Sequence, residues 1–479
     1  MLGRHVLWRD RRAGSMQGMY AVINPATGRE ESRHPTASDA EIEQILTRSD
    51  AAARDLAGVG LDTRCGVLRR IADLHDERRD ELAALVTTEV GKPIRQARGE
   101  LGLVTAIYRY YADHAAEFLA DDEITAGAQG SAIVRKLPIG PLLGIMPWNF
   151  PYYQVARFAA PNLAVGNTIL LKPAPQCPGS ALAQGAIIRQ ALTESALPAD
   201  AYQTVLATDE QVESMIGDPR VSGVSLTGSE RAGAAVAAIA GRNLKKVVLE
   251  LGGSDPFVVL DAADVDRVVK RAVHARLSNA GQACNAAKRF IVLDELYDDF
   301  LGRFAAAMGR IEPGDPTLDS TFLGPLSSAA ARDNLAAQVD GAVSQGATVH
   351  VGGRPADGPG FGYLPTVLTG VTAEMDVFAQ ELFGPVAVVY RAADEDEAVA
   401  LANATPFGLG ASVHSDDADR ALRVADRLDA GMVSINEAGG SSADRPFGGV
   451  KRSGFGRELG SYGITEFVNH KLVRTAAAR

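Results

Sequence analysis

The chain has only three cysteines, Cys65, Cys177 and Cys284, among 479 residues. They are too few and too scattered for a disulfide framework, and they suit a reducing compartment. No CxxC or HExxH occurs, so the spacing of a structural or catalytic zinc site is missing. Nowhere do 18 apolar residues run together, which leaves no stretch of the kind that crosses a bilayer as a helix. Basic blocks are missing too: 48 Lys and Arg stand against 59 Asp and Glu, a formal net charge of −11. Such a surface does not attract nucleic acid or anionic membranes. The stretch from Met1 to Met19 is basic but has no apolar core, so no secretory signal is read there. A terminal extension, or a start at Met16 or Met19, is expected, and the cytoplasm is the expected location.

What is present reads as a globular α/β protein. Apolar residues make up 46% and charged residues 22%, and the length calls for two or three domains. Leu68, Ile71, Leu74, Leu82, Leu85 and Val86 recur at helical spacing. They predict a helix over 67–90, stopped by Gly91 and Pro93. Beyond it, apolar runs over 143–146, 168–171, 221–226, 246–249 and 256–260 read as buried strands. Helical stretches over 181–192 and 231–239 lie between them. That alternation predicts a mostly parallel sheet covered on both faces. A second set runs from about 251 to 431, with strands over 290–293 and 386–390, and the Gly/Pro-rich stretch 351–365 reads as a loop or hairpin.

Four clusters carry chemistry. Cys284 follows Asn279-Ala280-Gly281-Gln282-Ala283. A lone cysteine is usually a small buried hydrophobe; a helix starting behind it would favour thiolate, which attacks carbonyls and leaves as a thioester. Glu250 ends an apolar strand and precedes Gly252-Gly253. It is either a solvated strand end or a general base whose pKa is raised by apolar surroundings. In Pro147-Trp148-Asn149-Phe150-Pro151, two prolines fix a turn and present Asn149. Its amide either satisfies the turn itself or waits as an oxyanion donor. Thr227-Gly228-Ser229, with Gly233 behind it, follows a strand and opens a helix. That suits a tight helix start or a phosphate at a helix N-terminus, though the spacing matches neither the usual dinucleotide fingerprint nor a P-loop.

In this order and spacing the clusters resemble the aldehyde dehydrogenase superfamily, from about residue 23 to 473. Within it the chain looks most like the succinate-semialdehyde dehydrogenases. The runs Leu244–Leu260, Ala286–Val292 and Pro446–Glu458 carry most of the likeness. The resemblance implies Cys284 as nucleophile, Glu250 as base for deacylation, and Asn149 with the Cys284 N–H as oxyanion hole. It implies a cofactor, NADP or NAD, held by Trp148, Lys172, Thr227, Gly228, Ser229, Gly233, Glu381 and Phe383. Many NAD-preferring members have a carboxylate three residues after the lysine; Pro175 stands there, so a 2′-phosphate is tolerated. For substrate it points to Phe150, Tyr153, Arg157, Ser441 and Ser442. An arginine eight residues past the asparagine is how succinate-semialdehyde enzymes tend to clamp the distal carboxylate. The alternative is an exposed or ion-paired arginine. A second arginine that some members carry six residues before the cysteine is Ser278 here, and the neighbouring redox cysteine of other relatives is Ala286.

The implied fold is aldehyde dehydrogenase-like α/β. A Rossmann-type cofactor domain over 1–250, interrupted by 122–141, joins a catalytic domain over 251–435. Segments 122–141 and 455–475 form a small oligomerisation sheet, so a homodimer or homotetramer is expected. The alternatives are a dehydrogenase of another small aliphatic or ω-carboxy aldehyde and, outside redox chemistry, a cysteine hydrolase or thioesterase. The last needs a histidine on Cys284, and the nearest in sequence is His274.

Overall fold

The computed structural model describes residues 18–124 and 130–476; the expected extension over the first residues lies outside them. Two sheets organise the chain. The first has the spatial order Gly454–Phe455, Lys246–Glu250, Gly223–Thr227, Pro141–Met146, Thr168–Pro173 and Tyr202–Thr204. All its pairs are parallel except the short Gly454–Phe455 edge. Gly223–Thr227 and Thr168–Pro173 are buried along their whole length, which is why they read as unbroken apolar runs. Chain order reverses between Pro141–Met146 and Gly223–Thr227. Loops leaving those two strands therefore diverge and open a crevice at their carboxyl ends, where doubly wound sheets bind ligands.

The second sheet has the order Thr348–Val351, Thr366–Thr369, Val386–Ala392, Ala287–Leu293, Asp255–Val259, Gly410–His414 and Met432–Ile435. Only its first pair is antiparallel, and the 351–365 stretch is the connection of that hairpin. A third, antiparallel sheet joins Asp122–Ile124, Gly130–Pro138 and Val468–Ala476. Gly454–Phe455 extends the first sheet, so the closing strand of the small sheet begins at Val468.

The strands fall where the apolar runs place them. The helix over 67–90 does not: Leu61–Glu77 and Arg79–Val90 are separate, broken at Arg78 (φ −108°, ψ 18°). Both helices face one core containing Leu68, Leu74, Leu82 and Val86, so the apolar period runs on through the break and hides it. Gly91 is a stop, in a left-handed C-cap at φ 74°.

Two buried histidines make the fold acid-sensitive. His75 stacks on Tyr108 at 5.7 Å, and His414 on Phe257 at 4.0 Å. Burial lowers their pKa values to about 4 and about 3. The unfolded chain takes up these protons near the ordinary histidine value, so their contribution is complete above it and lost as pH falls towards the folded values. Stability should drop by about 2 kcal/mol per histidine between pH 6.5 and 5. Denaturant unfolding at the two pH values measures this, and His75→Phe should make the dependence shallower; an unchanged slope removes His75 from the account.

Candidate active site

The nucleophile loop leaves the helix Val265–Leu277 through a 3-10 turn, Ser278–Gly281. Asn279 (φ 51°) and Ala280 (φ 55°) are both left-handed there, a conformation that survives only where the surroundings impose it. The Asn279 side chain imposes it, donating to the carbonyls of Asn149 (3.0 Å) and Gln282 (3.2 Å). Asn149 answers by donating Nδ2 to the Gln282 carbonyl at 3.0 Å, while its Oδ1 accepts from Gln154 at 3.0 Å. The proline-pinned turn and the loop before Cys284 are thus one bonded unit. Asn149 is buried and keeps its second amide hydrogen for another acceptor.

No helix starts behind Cys284. The chain turns and enters the strand Ala287–Leu293, buried throughout and flanked by Asp255–Val259 and Val386–Ala392. Its apolar residues belong to the sheet core, so the expected helix dipole is replaced by side-chain charge. Burial pushes the Cys284 thiol up to about 12, against the pull of Arg157 and Lys288. The resting group is therefore a thiol, and its proton has to leave as it attacks.

Glu250 ends its strand fully buried, with neither carboxylate oxygen hydrogen-bonded. Burial holds its pKa well above the carboxylate range, as a base in apolar surroundings requires. It does not line the cavity that contains Cys284. The two glycines behind it admit the rest of the site: a Cβ on Gly252 would stand 2.4 Å from the Glu381 carboxylate, and one on Gly253 2.5 Å from the Cys284 carbonyl.

The turn after Pro141–Met146 carries Trp148, and the turn after Gly223–Thr227 carries Gly228 and Ser229, so both border the crevice at the reversal point. Trp148 meets Phe383 edge-on at 5.8 Å. Ser229 caps the helix Glu230–Arg242, its Oγ accepting from the Ala232 N–H. The Gly228 N–H donates to the Glu250 carbonyl at 2.9 Å. Gly233 serves packing, since a Cβ there would meet Leu251 at 2.5 Å. The Thr227 hydroxyl faces Arg157, accepting from it at 3.0 Å. Lys172 lies buried near the end of the next strand, 3.9 Å from Asp209. Glu381 accepts from the Gly253 N–H at 3.1 Å and pairs with Lys288 at 3.3 Å.

Beside Cys284 is a cavity of about 290 Å³, bordered among others by Phe150, Tyr153, Arg157, Ser441 and Phe447. Ser442 is not on that border; its hydroxyl donates to Asp444 at 2.6 Å. Arg157 is not an exposed residue. It is 1% exposed, ion-paired with Glu458, and lies 4.5 Å over the Phe447 ring. Ser225 holds the other Glu458 oxygen at 3.1 Å. Glu458 is the last residue of the run Pro446–Glu458, and only the fold shows that it reaches Arg157. His274 borders the same cavity, but it is exposed and has no hydrogen bond to Cys284, so a cysteine–histidine hydrolase pair is not formed.

A cysteine thiol and an anchored amide lie beside an α/β crevice, with a buried carboxyl on the adjoining strand, the arrangement expected of an aldehyde dehydrogenase. The aldehyde dehydrogenase family model matches residues 11–473, and the chain belongs to that family. It is 54% identical over 455 residues to a succinate-semialdehyde dehydrogenase [NADP(+)] of Deinococcus radiodurans, covering 95% of this chain and 94% of that one. A Mycobacterium avium protein of the same name is 46% identical over 456 residues, covering 95% and 96%. Among solved structures, the succinic semialdehyde dehydrogenase of Streptococcus pyogenes in complex with NADP+ superposes with a TM-score of 0.92 at 38% identity, covering 96% of this chain and 100% of that one.

Proposed function

We propose that the protein oxidises succinate semialdehyde to succinate with NADP, NAD being the second choice. The observation that carries this is Arg157, a buried guanidinium bordering the same cavity as the Cys284 thiol. The likeness to NADP-named succinate-semialdehyde dehydrogenases supports both substrate and cofactor.

The crevice fits a dinucleotide. Ser229 heads a helix whose first N–H groups suit pyrophosphate. Glu381 and Phe383 stand for the nicotinamide ribose and ring, and Lys172, with Pro175 in place of a carboxylate, for the adenosine end. When bound, the nicotinamide accepts the hydride. The Cys284 sulfur adds to the aldehyde carbon as its proton leaves, and the oxygen gains negative charge between the Asn149 amide and the Cys284 N–H. Loss of hydride from that carbon leaves a thioester on Cys284. Glu250 takes a proton from water, whose oxygen attacks the thioester carbon and expels the sulfur. Aldehyde, water and oxidised cofactor become carboxylate, reduced cofactor and two protons.

Removing Arg157 alone strands a buried Glu458 carboxylate, so the test uses Arg157→Met with Glu458→Gln, which deletes both charges together. The kcat/KM ratio for succinate semialdehyde over an uncharged aldehyde of equal length should fall about 10- to 100-fold, the worth of a charged hydrogen-bonded contact. Equal losses on both substrates leave another small aldehyde as the substrate.

The cofactor domain is assigned to residues 1–250 without 122–141, and the catalytic domain to 251–435. Among the described residues the strand Val468–Ala476 has one neighbour, and it exposes Leu472. An edge of that length invites a second copy, which supports a homodimer or homotetramer. No helix among the described residues is long and apolar enough to cross a membrane, and a cytoplasmic location is proposed.

A further inference from the structure

We propose that Lys288 is a positioning residue for the nucleophile: its ammonium gathers the carbonyls of the Cys284 turn and ties them to Glu381 on the cofactor side. Lys288 is the second residue of the strand Ala287–Leu293 and is 1% exposed. A lysine there is costly unless fully bonded. It reaches back to the turn it has just left, donating to Ala283 O (3.1 Å), Cys284 O (2.8 Å) and Ala286 O (3.3 Å). Three ammonium hydrogens meet three carbonyls of one turn.

The peptide plane makes this matter for the chemistry. In a trans peptide the N–H points opposite to the preceding C=O. Drawing the Ala283 carbonyl onto Nζ therefore turns the Cys284 N–H away from Lys288, free for the oxygen of a bound aldehyde. The fourth contact, Glu381 at 3.3 Å, also receives the Gly253 N–H. Gly253 has room for nothing larger beside the Cys284 carbonyl. One lysine thus spans the nucleophile turn, the glycine pair behind Glu250 and Glu381. The cofactor half of the inference rests on the role proposed for Glu381; the turn half does not.

The charged and titratable groups around the thiol are Arg157 and Tyr153 from the helix Tyr153–Val165, Asp255 from the strand Asp255–Val259, Glu381 from the segment before Val386–Ala392, and Lys288, while Glu100 from the helix Ile94–Phe118 and His274 from the helix Val265–Leu277 border the same cavity. Lys288 and Arg157 favour thiolate, and Glu381 and Asp255 oppose it. Neutralising Lys288 should leave less thiolate at any pH below the thiol's own titration.

The test is alkylation of Cys284 by iodoacetamide at fixed pH, located by mass spectrometry, beside kcat/KM and thermal midpoint. Lys288→Met should slow alkylation at least tenfold, one pH unit of thiol titration, and lower kcat/KM about 100-fold. Lys288→Arg, which keeps the charge, should alkylate within threefold of the parent. Lys288→Gln, neutral but still a donor, repeats the measurement if the Met variant does not fold. Alkylation and kcat/KM at parent values in a neutral variant overturn the proposal. Glu381→Gln should speed alkylation and weaken NADP binding. Faster alkylation with unchanged NADP affinity keeps the turn half and removes the cofactor half.

Discussion

Cys284→Ser should lower aldehyde oxidation by about 10⁴-fold or more while NADP still binds within threefold of the parent. The alcohol is a far weaker nucleophile than the thiol, and nothing at the site is arranged to activate it. The loop is held by Asn279, Asn149 and Lys288 through backbone carbonyls, not through the sulfur, so the substitution leaves its geometry in place. Production of reduced cofactor, followed by absorbance, measures the first expectation, and titration of protein fluorescence with NADP the second. Substantial turnover in the serine variant would move the covalent bond to another residue. Cys65 and Cys177 are poor replacements, since both are buried and neither borders the cavity beside Arg157.

Glu250→Gln should separate the two halves of the reaction. Hydride transfer precedes hydrolysis, so the variant should give a rapid burst of about one reduced cofactor per site and then turn over slowly. Loss of a general base lowers the slow step by about 10²- to 10⁴-fold. The thioester that builds up should appear as an added acyl mass on the peptide bearing Cys284. Burial raises the Glu250 pKa; the carboxyl is a competent base only above that raised value. Deacylation should therefore increase with pH through it in the parent, and that limb should vanish in the glutamine variant. An unchanged steady state would assign proton removal to another group. Because Glu250 lies outside the cavity lining, the carboxyl has to swing inward or act through a water.

The strands of both sheets were legible because parallel strands buried on both faces are continuous apolar runs, as in Thr168–Pro173 and Gly223–Thr227. The break at Arg78 was not, since a kink that keeps the same face inward leaves the apolar period intact. At the site, the motifs around Cys284, Glu250 and Asn149 marked those residues, but not what stabilises them. The helix expected behind Cys284 rested on short-range pattern, and long-range pairing with two neighbouring strands decided otherwise. Partnerships such as Arg157 with Glu458, or Lys288 with Glu381, join residues far apart in the chain. No local period encodes them, although Lys288 and Glu458 each stand in a run that carried the family likeness. Gly233 adds a constraint that no local pattern signals: a Cβ there would meet Leu251 at 2.5 Å.

The short edge strand Gly454–Phe455 and the Glu458 behind it have a bearing on synthesis. The two strands that frame the crevice precede residue 251, and Cys284 follows soon after, yet the counter-ion of Arg157 is made some 170 residues later than the nucleophile. Until Glu458 is made and docks, the buried Arg157 guanidinium lacks its carboxylate partner, and a buried charge left unpaired is costly. Folding around the helix Tyr153–Val165 is therefore expected to complete only after the final segment has been translated and has docked.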